Sequence, residues 1–350
     1  MKIAQYAVVC CVAVASQGCA LFKAATSGNL AAAAAETERI AKESAAAAKR
    51  AEQQCAPIKE KVVGFEEERA IGGAIGVNLV SSSGTLVLEG MTEKDPEALN
   101  KKLSDKPGSV TLPDNAVNDM TAYITVVGKN LARYSARPDL PWTFAVIENE
   151  AVNAFSAPGG YVAISTGLLK KLTNEAQLAG VLGHEIAHVV HKHSLKKYQA
   201  AKETQCVIAN TGANLIEAGL PANPPFDKAS KFARKFDGQV DLDKEEGGFI
   251  MFVMEGVIKL IQAGNDKDSE FQADATALEL VAFAGYDPTE YEKFLVSLGN
   301  QGGFFSLSHP ATSDRVERLK GLREGDLSPF ATGTAKPDTS KVFAPITPKS

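Results

Sequence analysis

Histidine is scarce in this 350-residue chain, and four of its five copies crowd together: His184, His188, His191 and His193 fall within ten positions, with His309 apart. The same stretch places Leu178, Val181, Leu182, Ile186 and Val189 at helical spacing, and Asn174 with Gln177 three residues later suits a helix start. On such a helix His184 and His188, four apart, face the same way with Cβ atoms about 5 to 6 Å apart. They can therefore share one tetrahedral Zn²⁺ at about 2.0 to 2.1 Å. Glu185 is turned by about 100° from His184, close enough to take a proton from an activated water without being aimed at the ion. Gly180, Gly183 and Ala187 form a strip of small residues that lets another backbone approach, which makes the helix central. His191 lies roughly on the side of His188 and His193 points elsewhere; both are expected at the surface near the helix end, where cations suit the dipole.

A catalytic zinc needs a third protein ligand and an open position for water. Glu270 is the candidate, at the start of a helix expected from Asp268 to Ala284, with Asp274 four residues on and on the same face. In this layout Glu270 binds the ion and Asp274 accepts the second ring N–H of a ligand histidine, fixing its tautomer. Taken alone, two acids at a helix start are equally served by the dipole. The upstream HExxH, and the apolar residues Phe271, Ala275, Leu278 and Val281 behind Glu270, favour the ligand role.

The rest of the chain sets the context. Residues 1–18 read as a signal peptide, with an uncharged run from Ile3 to Ala15 too short to span a bilayer. Ser16-Gln17-Gly18-Cys19 is similar to a bacterial lipobox, which implies cleavage and acylation at Cys19 and anchoring to the outer membrane on its periplasmic side; plain secretion without a lipid is the alternative. Residues 19–60 are Ala-rich and charged and read as a lipid-anchored helical stalk with almost nothing large to pack. Residues 61–113 form an N-terminal extension in which Ile71 to Leu88 is a core segment or a hairpin. The folded catalytic body is expected over 114–325 and a disordered tail over 326–350. Within the body, a helix over Ala116 to Ser135 precedes strands over Trp142 to Ile147, Ala151 to Phe155 and Tyr161 to Ser165. A polar stretch follows from Lys192 to Asp243, then a core or lid helix over Gly248 to Ala263. Lys and Arg number 37 against 42 Asp and Glu, so no positive field invites nucleic acid. Once Cys10, Cys11 and Cys19 are set aside, Cys55 and Cys206 remain, and an oxidising compartment permits a disulfide between them without requiring one.

Taken together, the motifs resemble a known family. Asn153 to Val162 (NAFSAPGGYV), Gly167-Leu168-Leu169, Leu182 to His188 (LGHEIAH), Glu270 with Ala273-Asp274, then His309-Pro310 and Arg315, are similar to the gluzincin metallopeptidases that include HtpX and CAAX prenyl protease. The likeness runs from Asp114 to Leu322 in the right order. The lack of spanning helices places it with the soluble periplasmic lipoprotein branch, LoiP and BepA among them, and no tetratricopeptide-type repeat follows. The resemblance implies an α+β fold, mainly helical, with a small sheet bordering the active-site cleft. It implies one Zn²⁺ per chain and a zinc-dependent endopeptidase of the bacterial envelope acting on unfolded or misassembled envelope proteins. Asn153, Ala154, Phe155, Gly159, Gly160 and Tyr161 would border the cleft and take an extended substrate by edge pairing. His309 would steady the oxyanion or occupy the ion's open position at rest, or else simply open a helix. Arg315 would steady the same oxyanion or form a salt bridge. Two other functions stay open: an envelope assembly chaperone that binds strands in the cleft with little cleavage, and a structural or buffering zinc protein. The sequence is silent on oligomeric state.

Overall fold

The structure is a computed structural model that describes residues 30–83, 85–86, 116–220, 264–298 and 313–325. Cys19 and the signal segment, the helix expected over Gly248 to Ala263, His309 and the tail over 326–350 lie outside the described residues. The chain divides into two units, one of residues 1–62 and 197–257, the other of residues 63–196 and 258–350.

In the first unit, helix α1 (Leu30–Glu60) packs on the residues from Lys197 onward of a second long helix, His193–Glu217. The sequence suggests a free stalk and a polar connector here. Instead Ala47, Ala51 and Cys55 are fully buried, and Cys55 is disulfide-bonded to Cys206 with Cα atoms 5.9 Å apart. The Asn214 amide donates to the Ala47 carbonyl at 3.1 Å, and Ala47 packs with Leu215 and Leu220. Alanine contributes little area per residue, but its small side chain allows close helix contact, so a face without large side chains can still be buried.

In the second unit, α2 (Phe65–Ser83) occupies the place of the expected core segment or hairpin and is followed by the two-residue strand β1 (Thr85–Leu86). Helix α3 (Ala116–Ala132) leads to β2 (Thr143–Glu148), β3 (Ala154–Ala157) and β4 (Tyr161–Ser165). The sheet order is β1-β2-β4-β3, with β2 and β4 parallel and both outer pairs antiparallel. Among the described residues the edge strand β3 therefore has one neighbour in the sheet, β4. It starts three residues later than the sequence suggests. The Asn149 side chain accepts from the Ala151 amide at 2.7 Å and turns the chain before pairing begins. Between β3 and β4, Gly159 (φ 78°) and Gly160 (φ 94°) take left-handed conformations that side chains resist.

A one-turn helix, α4 (Thr166–Leu169), is capped by Ser165, whose Oγ accepts from Leu168 N at 3.1 Å. Then comes α5 (Glu175–Val190), capped by Asn174, which accepts from Gln177 N at 2.9 Å. All of α5 except Ala176 and Val190 is buried. It is the helix around which α3, the sheet, α7 (Lys267–Phe283) and α8 (Thr289–Leu298) assemble, with α9 (Ser313–Glu324) against α7 and α8. The small strip on α5 makes this closeness geometrically feasible. A Cβ at Gly183 would stand 3.4 Å from the Ala277 Cα on α7, and one at Gly180 would overlap the Tyr291 ring on α8.

Two carboxylates brace the assembly. Glu175 accepts from the Tyr286 hydroxyl at 2.7 Å and from the Tyr123 hydroxyl. Glu68 on α2 takes both terminal nitrogens of Arg137 at 2.7 and 2.8 Å and the Gly159 amide at 3.1 Å, while Arg137 also donates to the Val189 carbonyl at 3.2 Å. The β3–β4 turn and the end of α5 are thereby pinned to one buried anion. No helix among the described residues is long and apolar enough to cross a membrane.

Candidate active site

The metal-type cluster is assembled from α5 and α7. His184 and His188 come from successive turns of α5; Glu270 comes from the first turn of α7, which Asp266 caps by accepting from Ser269 N at 2.9 Å. The two Nε2 atoms stand 3.0 Å apart; Glu270 Oε2 lies 3.3 Å from His184 Nε2, and Oε1 lies 3.4 Å from His188 Nε2. A tetrahedral site with donors at about 2.0 to 2.1 Å from the ion has donor–donor edges of about 3.3 Å, so these spacings fit a single small cation. Among the described residues this is the one group of three with that property, and all three side chains are buried. Two imidazole nitrogens and a carboxylate oxygen are also a donor set that suits zinc.

Around the cluster lies a ring of buried charge. Asp274 Oδ1 is 3.0 Å from His184 Nδ1 and also accepts from the Tyr291 hydroxyl at 3.0 Å. Arg315, from α9, donates through Nε and Nη2 to the two Asp274 oxygens at 2.7 Å each, and its Nη1 is 3.2 Å from Glu270 Oε2. Of the two roles open to Arg315 from the sequence, the structure shows the ion pair. Burial by itself would push the Asp274 carboxyl up, but Arg315 and His184 outweigh it and hold the group well below the usual carboxylate range. Burial depresses His184, yet the Glu270 charge and the hydrogen bonds with Asp274 and Glu270 prevail, and the imidazole is pushed up to about 9.

Glu185 follows His184 on α5 and is completely buried. Asn153, Ala154, Phe155, Gly159, Gly160 and Tyr161 lie together on the β3–β4 hairpin, and β3 packs against α5. Tyr161 is half-buried and carries the Arg69 guanidinium 3.9 Å over its ring, while Arg69 also donates to the Gly159 carbonyl at 2.7 Å.

The expectation for His193 needs correction, and for His191 adjustment. Helix α5 stops at Val190 and Lys192 adopts φ 58°, so the chain turns before α6 (His193–Glu217) begins. His193 is consequently folded back and buried, with its Nδ1 2.7 Å from His188 Nδ1; His191 is half-buried, its Nε2 2.8 Å from the Thr276 hydroxyl. A helix run on past Val190 would have turned His193 about 140° away from His188. Three further participants were not singled out by the sequence. Asn265 donates to Glu270 Oε1 at 2.9 Å, Gln272 meets His193 Nε2 at 3.0 Å, and Tyr291 meets Asp274. Only Tyr291 had a trace in the sequence, the Gly180 gap that receives its ring.

A model of peptidase family M48 matches residues 118–323, more than half of the chain, and that stretch contains every residue of the cluster just described. The chain belongs to peptidase family M48. Relatives of the chain include the beta-barrel assembly-enhancing protease of Escherichia coli K12, 29% identical over 208 residues, which are 57% of this chain and 38% of that protein. The corresponding protease of Yersinia pestis is 27% identical over 62% of this chain and 41% of its own length. The mitochondrial metalloendopeptidase OMA1 of Schizosaccharomyces pombe is 27% identical over 226 residues, 63% of this chain and 57% of that protein. The chain thus spans about two fifths of the length of the assembly-enhancing proteases it matches. As the resemblance to gluzincin metallopeptidases implies, the fold is mostly helical with a small sheet.

Proposed function

We propose that the chain is a zinc-dependent endopeptidase of the bacterial cell envelope, acting on unfolded or misassembled envelope polypeptides. The observation that carries the reading is the convergence of His184, His188 and Glu270 at tetrahedral spacing beside the buried Glu185. Membership of M48 supports peptide hydrolysis, and the names of the assembly-enhancing relatives support envelope polypeptides as the substrate class.

His184, His188 and Glu270 would hold the ion. A bound zinc acidifies a water ligand and polarises the scissile carbonyl. Glu185 takes the proton as the water oxygen adds to the carbonyl carbon, then returns it to the departing amine nitrogen. Asp274 keeps the His184 proton on Nδ1 and leaves Nε2 as the donor, and Arg315 neutralises Asp274 and Glu270 so that two carboxylates can share a dry site. The outer edge of β3, unpaired among the described residues, accepts an extended substrate through backbone hydrogen bonds, which tolerate many side chains. His309 is assigned to the oxyanion or the resting ion, and Cys19 to the lipid anchor on the periplasmic face of the outer membrane.

The test is metal analysis combined with hydrolysis of an unfolded casein-type substrate by wild type and Glu185→Gln. One zinc per chain in both is expected, with turnover falling by roughly 10²- to 10⁴-fold in the variant, the usual scale for a lost general base. Equal turnover by the two proteins, or undiminished turnover after exhaustive chelation, would overturn the reading.

A further inference from the structure

The inference concerns His193, and it rests on the reading that His188 holds the ion. We infer that His193 and Gln272 form a hydrogen-bond relay that selects the metal-binding tautomer of His188. His188 Nδ1 and His193 Nδ1 stand 2.7 Å apart, and His193 Nε2 is 3.0 Å from Gln272 Oε1. The two rings meet edge to face at 68°, with centroids 4.9 Å apart.

The proton positions follow from the acceptors. Gln272 Oε1 can only accept, so the His193 proton lies on Nε2. His193 Nδ1 is then a lone pair, and the short contact with His188 requires the intervening proton to sit on His188 Nδ1. That leaves His188 Nε2 with its lone pair directed at His184 Nε2 and Glu270, where the ion would be bound. An independent contact agrees: the Asn265 amide nitrogen, a donor, faces His188 Nε2 at 3.4 Å. The opposite tautomer would put a proton on Nε2 and bar the metal.

The two ligand histidines are therefore oriented by different means. His184 leans on a carboxylate, Asp274; His188 leans on a neutral ring, fixed in turn by a side-chain amide on α7. A neutral partner adds no charge next to a site that already holds Glu185, Glu270 and Asp274. The left-handed Lys192 ends the run of α5 and interrupts its period, and His193, the next residue, meets His188 ring to ring. His193 acts through His188 and is a positioning residue.

Three variants test this on the full chain: His193→Phe, which removes the acceptor; His193→Asn, whose Oδ1 can replace Nδ1; and Gln272→Met, at an exposed position where folding is not at stake. Zinc affinity is read by competition with a chromogenic chelator, and the His188 tautomer by the ¹⁵N shifts of its ring nitrogens. His193→Phe is expected to bind zinc roughly 10- to 100-fold more weakly, the scale on which losing a ligand's outer partner is felt. His193→Asn should stay within about threefold of wild type, and Gln272→Met should fall between. The metal-free proteins should show His188 protonated on Nδ1 in wild type and His193→Asn, and a mixture in His193→Phe. A purely structural role would lower the metal-free melting temperature without altering the tautomer. Equal zinc affinity in wild type and His193→Phe, or an unchanged His188 spectrum, overturns the relay alone. A wild-type protein that takes up no zinc overturns instead the assignment of His188 as a ligand.

Discussion

Removing the Arg315 charge while keeping its bulk, as Arg315→Met, bears directly on how the site tolerates its own acids. Arg315, Asp274 and Glu270 are each at most 2% exposed, so water screens none of them. The guanidinium makes two 2.7 Å bonds to Asp274 and a 3.2 Å contact with Glu270. Truncating one partner of a buried pair leaves the other charge uncompensated, at a cost of about 3 to 5 kcal/mol. At roughly 2 to 4 °C per kcal/mol for a domain of this size, the metal-free variant should melt about 6 to 20 °C below wild type. Zinc supplies positive charge to the same carboxylates, so saturating metal should recover part of the loss and give the variant the larger metal-induced shift. Differential scanning calorimetry with and without zinc measures both quantities. If the metal-free variant melts within about a degree of wild type while its turnover collapses, the ion-pair reasoning is wrong and the guanidinium serves the reaction directly.

Other outcomes follow from the same structure. His184 is raised from 6.5 to about 9 by Glu270 and Asp274 against the pull of burial. A raised value is stability held below the ordinary pKa and lost as pH climbs through the folded one, so the metal-free protein should melt lower at pH 9 than at pH 7. The same proton competes with the ion, so apparent zinc affinity should rise by about tenfold per unit from pH 7 to about 9, with one proton released on binding. Glu68 is depressed, with burial raising it but Arg137, the Gly159 amide and Lys192 prevailing. Its contribution is therefore present above the ordinary carboxylate range and disappears as acid titrates the folded group. Glu68→Gln should cost about 1.5 to 3 kcal/mol near neutral pH in urea denaturation, and the gap to wild type should close as pH falls. Gly180→Ala should destabilise by about 1 to 3 kcal/mol despite alanine's better helix propensity, because its methyl group would overlap the Tyr291 ring; an unchanged or raised melting temperature would count against that packing.

How far the sequence carries differs between the two halves of the site. His184, Glu185 and His188 lie within one helical stretch, where the 3.6-residue period alone fixes which side chains share a face, so their juxtaposition was legible from spacing. Glu270 and Asp274 could be paired with each other by the same rule, but their meeting with α5 rested on the chemistry of zinc, which needs a third ligand. The relay through His193 was not legible. It depends on one left-handed residue, Lys192, and lysine carries no signal for that conformation as glycine would. The first unit was misread for a related reason. Its buried face is made of Ala47, Ala51 and Cys55, and a hydrophobic pattern cannot register a surface whose packing comes from closeness rather than bulk.

The sequence by itself determined the candidate donor atoms, the order of the motifs and the helix that carries Glu185, because each follows from local periodicity and from the coordination demands of an ion. The tertiary structure alone decided what keeps those donors in working form: Arg315 folded over two carboxylates, Tyr291 filling the Gly180 gap, and His193 turned back onto His188. These contacts join residues up to 111 positions apart in the chain, and their geometry is set by how helices pack and where one of them ends, quantities that no short stretch of sequence contains.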